Sequence, residues 1–159
     1  MQIGSIRLSR LLFAIVTCIA FAVFGQLLTG DALETWYPTL NQPWFSFPLW
    51  GWYIVGVFYY IISISILYRL FSLPQSVNRN LALLLTIAML SGNEAWNYLF
   101  FVLESTYLAF ISLIPFTLLV LFLFLKLNNL DKKASFILLP YLMWIGYDLF
   151  WTYYLWKLN

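Results

Sequence analysis

The chain has 159 residues, 64% of them hydrophobic and only 9% charged, with a mean hydropathy of +0.88 and a formal net charge of +2. That balance excludes a soluble globular domain of ordinary composition, and the eight basic residues, scattered over short loops, form no patch for nucleic acid. With no histidine and one cysteine, Cys18, there is no disulfide framework and no ordinary metal or haem-ligand set.

In chain order, the first apolar run covers residues 11–28. Arg7 and Arg10 precede it and Ala20-Phe21-Ala22 mimics a signal-peptide cleavage site, yet the run continues through Val23, Phe24 and Leu27, which favours a membrane span. Cys18 inside it reads as a packing residue. Residues 29–48 are long for a connection and contain Pro38, Pro43 and Pro48, while Trp36, Tyr37, Trp44, Phe45 and Phe47 argue against disorder. This segment is expected to be a lid over a pocket. Four more apolar runs follow, at 50–70, 81–101, 107–127 and 134–156. Each is near the roughly 20 residues a helix needs to cross the hydrocarbon core. Backbone groups in lipid must bond internally, so the runs are helices. The expected fold is an all-α integral membrane protein, a five-transmembrane-helix bundle forming one domain over 1–159.

Five spans put the N-terminus and the second and fourth loops on one side, with Arg7, Arg10, Arg69, Arg79, Lys126, Lys132 and Lys133. The other side keeps Lys157, with Asp31, Glu34 and Glu104. The positive-inside rule then predicts a cytoplasmic N-terminus and an outer C-terminus. The tryptophans gather toward the outer side (Trp36, Trp44, Trp50, Trp52, Trp96, Trp151 and Trp156, with Trp144 nearer mid-depth), whereas an interfacial belt would occupy both faces.

Two acids fall inside the spans. Glu94 and Asp148 lie at about the same depth, roughly 20 Å from the cytoplasmic end at 1.5 Å per residue. Asn93, Trp96, Asn97 and Phe100 share one face of the third span, with Glu94 beside it. Tyr141, Trp144, Asp148 and Trp151 share a face of the fifth. A charged group facing lipid is costly, so both acids should point inward. If the two helices are neighbours, the result is one cavity with a polar floor and aromatic walls. The alternative is that each acid only bonds an adjacent helix and holds the bundle together.

Three segments carry a family resemblance that covers the chain from about Trp36 onward. The lid sequence WYPTLNQPWF, followed by Pro48 and Trp50, resembles a W-Y-x-x-L-x-x-P-x-W-x-x-P entry into the second helix. The third span, with Asn93, Trp96, Phe100 and Phe101, matches N-x-x-W-x-x-x-F-F. The fifth, PYL-x-W with a closing W-x-L-N, is similar as well. Together they resemble the TspO/MBR family of tryptophan-rich sensory or translocator proteins, also called peripheral benzodiazepine receptor-type proteins. The resemblance implies a five-helix bundle, often a homodimer, with a pocket below the first loop. It also implies binding of porphyrins such as protoporphyrin IX, of isoquinoline or benzodiazepine-type drugs and, in some members, of sterols.

By position, Asn93, Trp96, Tyr141 and Trp144 resemble the family's pocket residues. Glu94, Asp148, Trp36 and Trp50 complete the candidate ligand contacts. This sequence also departs from the pattern: the second-helix tryptophan falls on Gly56, and the small residue after the fifth-helix aromatic is Asp148. Leu149, Tyr153 and Lys157 fit a proposed sterol-contact spacing, although aromatic and basic residues belong at an interface anyway.

The function expected is binding of a hydrophobic, planar, tetrapyrrole-type small molecule, with a sensory or transport-linked role and no required cofactor. Lipid and the ligand are the expected partners, and a second copy of the chain is the family's. The alternatives are a proton-coupled small-molecule carrier using Glu94 and Asp148, and a structural accessory subunit. No nucleophile–base constellation points to an enzyme. The resemblance does imply light-dependent porphyrin breakdown in some members, in which Trp144 would take part.

Overall fold

Helix α1, Gln2–Thr29, opens a computed structural model that describes residues 2–159, with side chains from residue 8 onward. The Arg7 side chain, counted in the charge asymmetry, lies outside the described residues. A short helix α2 (Ala32–Thr35) and a 3-10 turn (Tyr37–Thr39) belong to the lid. The long helices α3 (Leu49–Ser72), α4 (Val77–Asn97), α5 (Thr106–Leu130) and α6 (Lys132–Leu158) follow, and a π-helical segment, Tyr98–Val102, prolongs α4.

The helix ends follow local chemistry. Gly30, at φ 52°, takes the left-handed conformation past the end of α1, and its N–H reaches the Gln26 carbonyl at 3.0 Å. Helix α3 stops before Leu73-Pro74, a pair that disfavours continuation. The Ser76 hydroxyl accepts the Arg79 N–H at 3.2 Å to start α4, and the Ser105 hydroxyl accepts the Leu108 N–H at 3.2 Å to start α5. The Asp131 carboxylate accepts from Lys133 and Ala134 N–H at 3.1 and 3.4 Å to start α6. Pro115 and Pro140 sit inside α5 and α6, where neighbouring helices can satisfy the freed carbonyls.

Among the described residues, four helical segments are long and apolar enough to cross a membrane: Leu8–Thr29, α3, α5 and α6. Helix α4, the third predicted span, is the polar member. It carries Asn78, Arg79, Asn80, Thr86, Asn93, Glu94 and Asn97, and it buries Thr86 and Glu94 inside the bundle. Outward faces are apolar: Leu12, Phe13, Val16, Ile19, Val23 and Leu27 are exposed along α1.

The long helices close a ring. Helix α1 packs on α3 and α4, α3 also on α4 and α6, and α5 between α4 and α6. Helix α5 therefore lies between the third and fifth predicted spans over most of their length, and the two meet directly at the lid end, where Phe100 touches Trp151. Apolar side chains including Ile66, Leu67, Leu70, Met89, Leu123 and Leu138 form the main core. A second cluster around Phe100, Ala109, Trp151 and Leu155 lies under the lid, packed by Trp36, Tyr37, Leu40, Phe45, Trp52 and Trp96. At the opposite end, Arg69 grips Asp131 with two bonds of 2.8 Å, tying α3 to the head of α6.

Candidate functional site

A half-enclosed cavity of about 360 Å³ lies between the two clusters, below the lid. All five long helices line it. Helix α1 gives Gly25 and Gln26, α3 gives Trp52, Gly56 and Tyr60, and α4 gives Asn93, Trp96 and Asn97. Leu113 and Phe116 come from α5, while Tyr141, Trp144, Asp148 and Trp151 come from α6. Leu33 and Tyr37 close the lid side. A Cβ placed at Gly56 would stand in open space, so the missing side chain widens the chamber.

The π segment shapes the far wall. Its wider turn leaves Phe100 almost fully buried and stacked on Trp96, with centroids 4.8 Å apart and planes at 19°. Phe100 also meets Trp36 at 4.9 Å and Trp151 at 5.9 Å, so lid, α4 and α6 share one aromatic joint. On the other side Trp52 lies 5.5 Å from Trp144 and 4.6 Å from Trp151.

Polar clasps hold the lid to α6. The Tyr147 hydroxyl accepts the Phe47 N–H at 3.1 Å and donates to the Phe45 carbonyl at 3.3 Å. The Trp151 indole donates to Ser46 Oγ at 2.9 Å. Asn41 and Asn159 bond reciprocally: the Asn41 N–H donates to Asn159 Oδ1 at 2.9 Å, and Asn159 Nδ2 donates to the Asn41 carbonyl at 3.2 Å.

The two acids have different surroundings. Glu94 is 2% exposed and lies behind the cavity wall, not on its floor. The Tyr60 hydroxyl donates to its Oε1 at 2.8 Å, Asn93 Nδ2 to Oε1 at 3.2 Å and Asn97 Nδ2 to Oε2 at 2.8 Å. Three donors thus meet this carboxylate, which fits the structural reading of the residue. Asp148 faces the cavity. The Trp144 side chain approaches its carboxyl, while the buried Oδ1 has no hydrogen-bond partner. The two carboxyls do not hydrogen-bond to each other. The Trp96 and Trp52 indole N–H groups are likewise buried without partners; the Trp52 N–H lies near the Tyr37 hydroxyl but outside bonding geometry.

Of the predicted site residues, Asn93, Trp96, Tyr141, Trp144 and Asp148 come together on the cavity wall. Trp36 packs behind the wall on Phe100. Trp50 is 65% exposed and outside the cavity, because the wall falls on Trp52, two residues later and so on the opposite side of the helix. Leu149, Tyr153 and Lys157 are also outside the lining; the Lys157 ammonium sits over the Trp156 ring at 3.8 Å and the Tyr153 ring at 5.8 Å. Gly25, Tyr60 and Gln26 were not singled out from the sequence. A glycine or a tyrosine in an apolar run gives no periodic signal of the cavity it faces.

Outside the spans, partial burial by itself would raise the Asp131 carboxyl. The Arg69 guanidinium and the N–H groups of Ala134 and Lys133 outweigh it and hold the group below its ordinary value.

Long apolar helices, an outward apolar surface and a lidded internal chamber define an α-helical integral membrane protein with an aromatic cavity. Comparison with known proteins adds the particular family. Residues 14–157 match the TspO/MBR family, and the chain belongs to it. It is 27% identical over 140 residues to the tryptophan-rich protein TspO of Archaeoglobus fulgidus, covering 86% of this chain and 88% of that one. It is 23% identical over 154 residues to the protein of that name from Chlorobaculum tepidum, covering 96% and 98%. It is 28% identical over 131 residues to the tryptophan-rich sensory protein of Cereibacter sphaeroides, covering 82% and 78%.

Proposed function

We propose that the chain is a membrane receptor or translocator-type protein that binds a planar, hydrophobic small molecule in the lidded cavity, in a sensory or transport-linked role. The observation that carries this reading is the chamber itself: walls from five helices, aromatic on four of them, with three buried polar atoms left without partners. Buried polar groups are normally satisfied, and a cavity of this make-up is what small-molecule sites use for orientation. A tetrapyrrole such as protoporphyrin IX is the ligand that family membership suggests. It would enter edge-first, with only part of the macrocycle inside the roughly 360 Å³ chamber and its propionates turned away from Asp148.

This reading includes five crossings, α4 among them, with the N-terminus cytoplasmic and the lid and C-terminus outside. The bonds between Asn41 and Asn159 support a lid and a C-terminus at one end of the bundle. The positive-inside asymmetry supports the direction. Lipid covers the exposed apolar faces, and a second copy of the chain is the remaining partner.

The test is a titration of the detergent-purified protein with protoporphyrin IX in the dark, followed by tryptophan fluorescence. Saturable quenching that weakens several-fold in Trp144→Phe and Asn93→Ala is expected. Quenching no different from that of free tryptophan in the same detergent would overturn the proposal. The unpartnered acid facing the cavity favours one second reading, a proton-coupled carrier. That reading requires pH-dependent flux that disappears in Asp148→Asn, and unchanged flux would remove it.

A further inference from the structure

Asp148 is unusual among the cavity residues because, among the described residues, no basic side chain stands opposite it in the lining. Among the described residues, no lysine, arginine or histidine lines the chamber, and Oδ1 has no hydrogen-bond donor. A carboxylate buried without a counter-charge is strongly disfavoured, whereas the same group opposite a cation and its N–H donors is not. Glu94 cannot serve as that cation's anchor: it sits behind the wall with Tyr60, Asn93 and Asn97 already bound to it.

Indole rings line the cavity together with Asp148. Trp144 approaches the carboxyl, and the Trp52 ring lies 5.5 Å from the Trp144 ring, with Trp151 4.6 Å further along. A cation within about 6 Å of an indole face is attracted by the ring, more so when water is excluded. Away from this corner the Trp96 N–H offers an unused donor, which calls for an acceptor on the same ligand. A volume of about 360 Å³ is near the small end of the roughly 300–1,000 Å³ usual for ligand pockets, which suits a molecule of two or three fused rings.

We infer that the cavity selects a compact planar aromatic molecule carrying a protonated amine, with Asp148 as its counter-ion and Trp52 and Trp144 as its cation-facing wall. This inference rests on the reading of the cavity as a ligand site. Asp148 is then the residue that sets the charge preference of this chain's pocket.

The experiment uses three naphthalene probes of nearly equal size: 1-naphthylmethylamine, protonated at pH 7, the neutral 1-naphthylmethanol and the anionic 1-naphthoate. Each is titrated calorimetrically into the 159-residue chain in detergent at pH 7, with detergent-only heats subtracted. The amine is expected to bind saturably and at least tenfold more tightly than the alcohol, with the naphthoate weakest. Asp148→Asn should bring the amine and the alcohol to within about twofold of each other in that variant, and Asp148→Glu should keep the preference. The Glu variant provides the charge-retaining control should the Asn variant fail to fold, as judged by its helical circular dichroism. Equal affinity for amine and alcohol, or a preference that survives Asp148→Asn, overturns the inference and leaves the ligand-site reading standing. No saturable binding of any probe overturns the inference, and if protoporphyrin IX also fails to bind, the ligand-site reading falls too.

Discussion

Gly25 on α1 and Glu94 on α4 meet so closely that a Cβ added to the glycine would overlap the glutamate carboxyl. The glycine is what allows α1 to come alongside a carboxylate that Tyr60, Asn93 and Asn97 hold in place. One contact therefore fixes three helices, α1, α3 and α4, around the back of the cavity.

In Gly25→Ala the end of a flexible side chain would have to move, but that end is pinned by three hydrogen bonds. The variant is expected to lose about 1–3 kcal/mol of stability. Thermal unfolding in detergent measures the loss. An unchanged midpoint would mean that Glu94 has free space to retreat into.

Tyr147→Phe removes the hydroxyl that receives the Phe47 N–H and reaches the Phe45 carbonyl, while keeping the ring. A loss of about 1 kcal/mol in lid closure corresponds to roughly a fivefold shift toward the open lid. Faster dissociation of bound protoporphyrin IX in stopped-flow fluorescence is the expected outcome. Chymotrypsin should also cut sooner near Trp44, which is 95% exposed.

Gly56→Trp would place an indole into the open space beside the α3 wall. Folding should survive, since a Cβ there meets nothing within 4 Å, the cavity lies beyond it, and a mid-helix glycine costs about 0.5–1 kcal/mol relative to alanine. The cavity should shrink, so affinity for naphthalene-sized probes is expected to fall at least tenfold in calorimetry. A melting temperature that drops sharply would contradict the open space.

The Arg69–Asp131 pair predicts an acid-side loss. Asp131 is held below its ordinary value of 3.8, so its contribution is present above the unfolded-state pKa and disappears as pH falls through the folded one. Stability should be flat through neutrality and decline below about pH 4. Arg69→Ala should cost about 1–2 kcal/mol at pH 7 and flatten that decline. Unfolding midpoints from pH 3 to 7 test both statements.

The helices were legible because apolar runs of membrane length have few other readings, and the lid because its length and aromatic content fit neither a tight turn nor a flexible linker. Asn93, Trp96, Tyr141, Trp144 and Asp148 could be grouped by helical spacing, and the structure brings them onto one wall. Spacing could not tell which side of α4 Glu94 would take, since a residue beside a face can turn toward or away from it. The choice was made by Tyr60 and Gly25 on other helices, through contacts between residues far apart in the chain. Trp50 and Trp52 present the same difficulty: two indoles two positions apart at a helix start, of which packing selects one.

Six of the eight indoles fall into two optical groups, with Trp36 and Trp156 of intermediate exposure between them. Trp52, Trp96, Trp144 and Trp151 line the chamber, while Trp44 and Trp50 are 95% and 65% exposed. A water-soluble quencher such as acrylamide should reach the exposed pair first and leave the emission of the chamber group. Adding it before a ligand titration would turn the unlabelled protein into a selective reporter of its own interior.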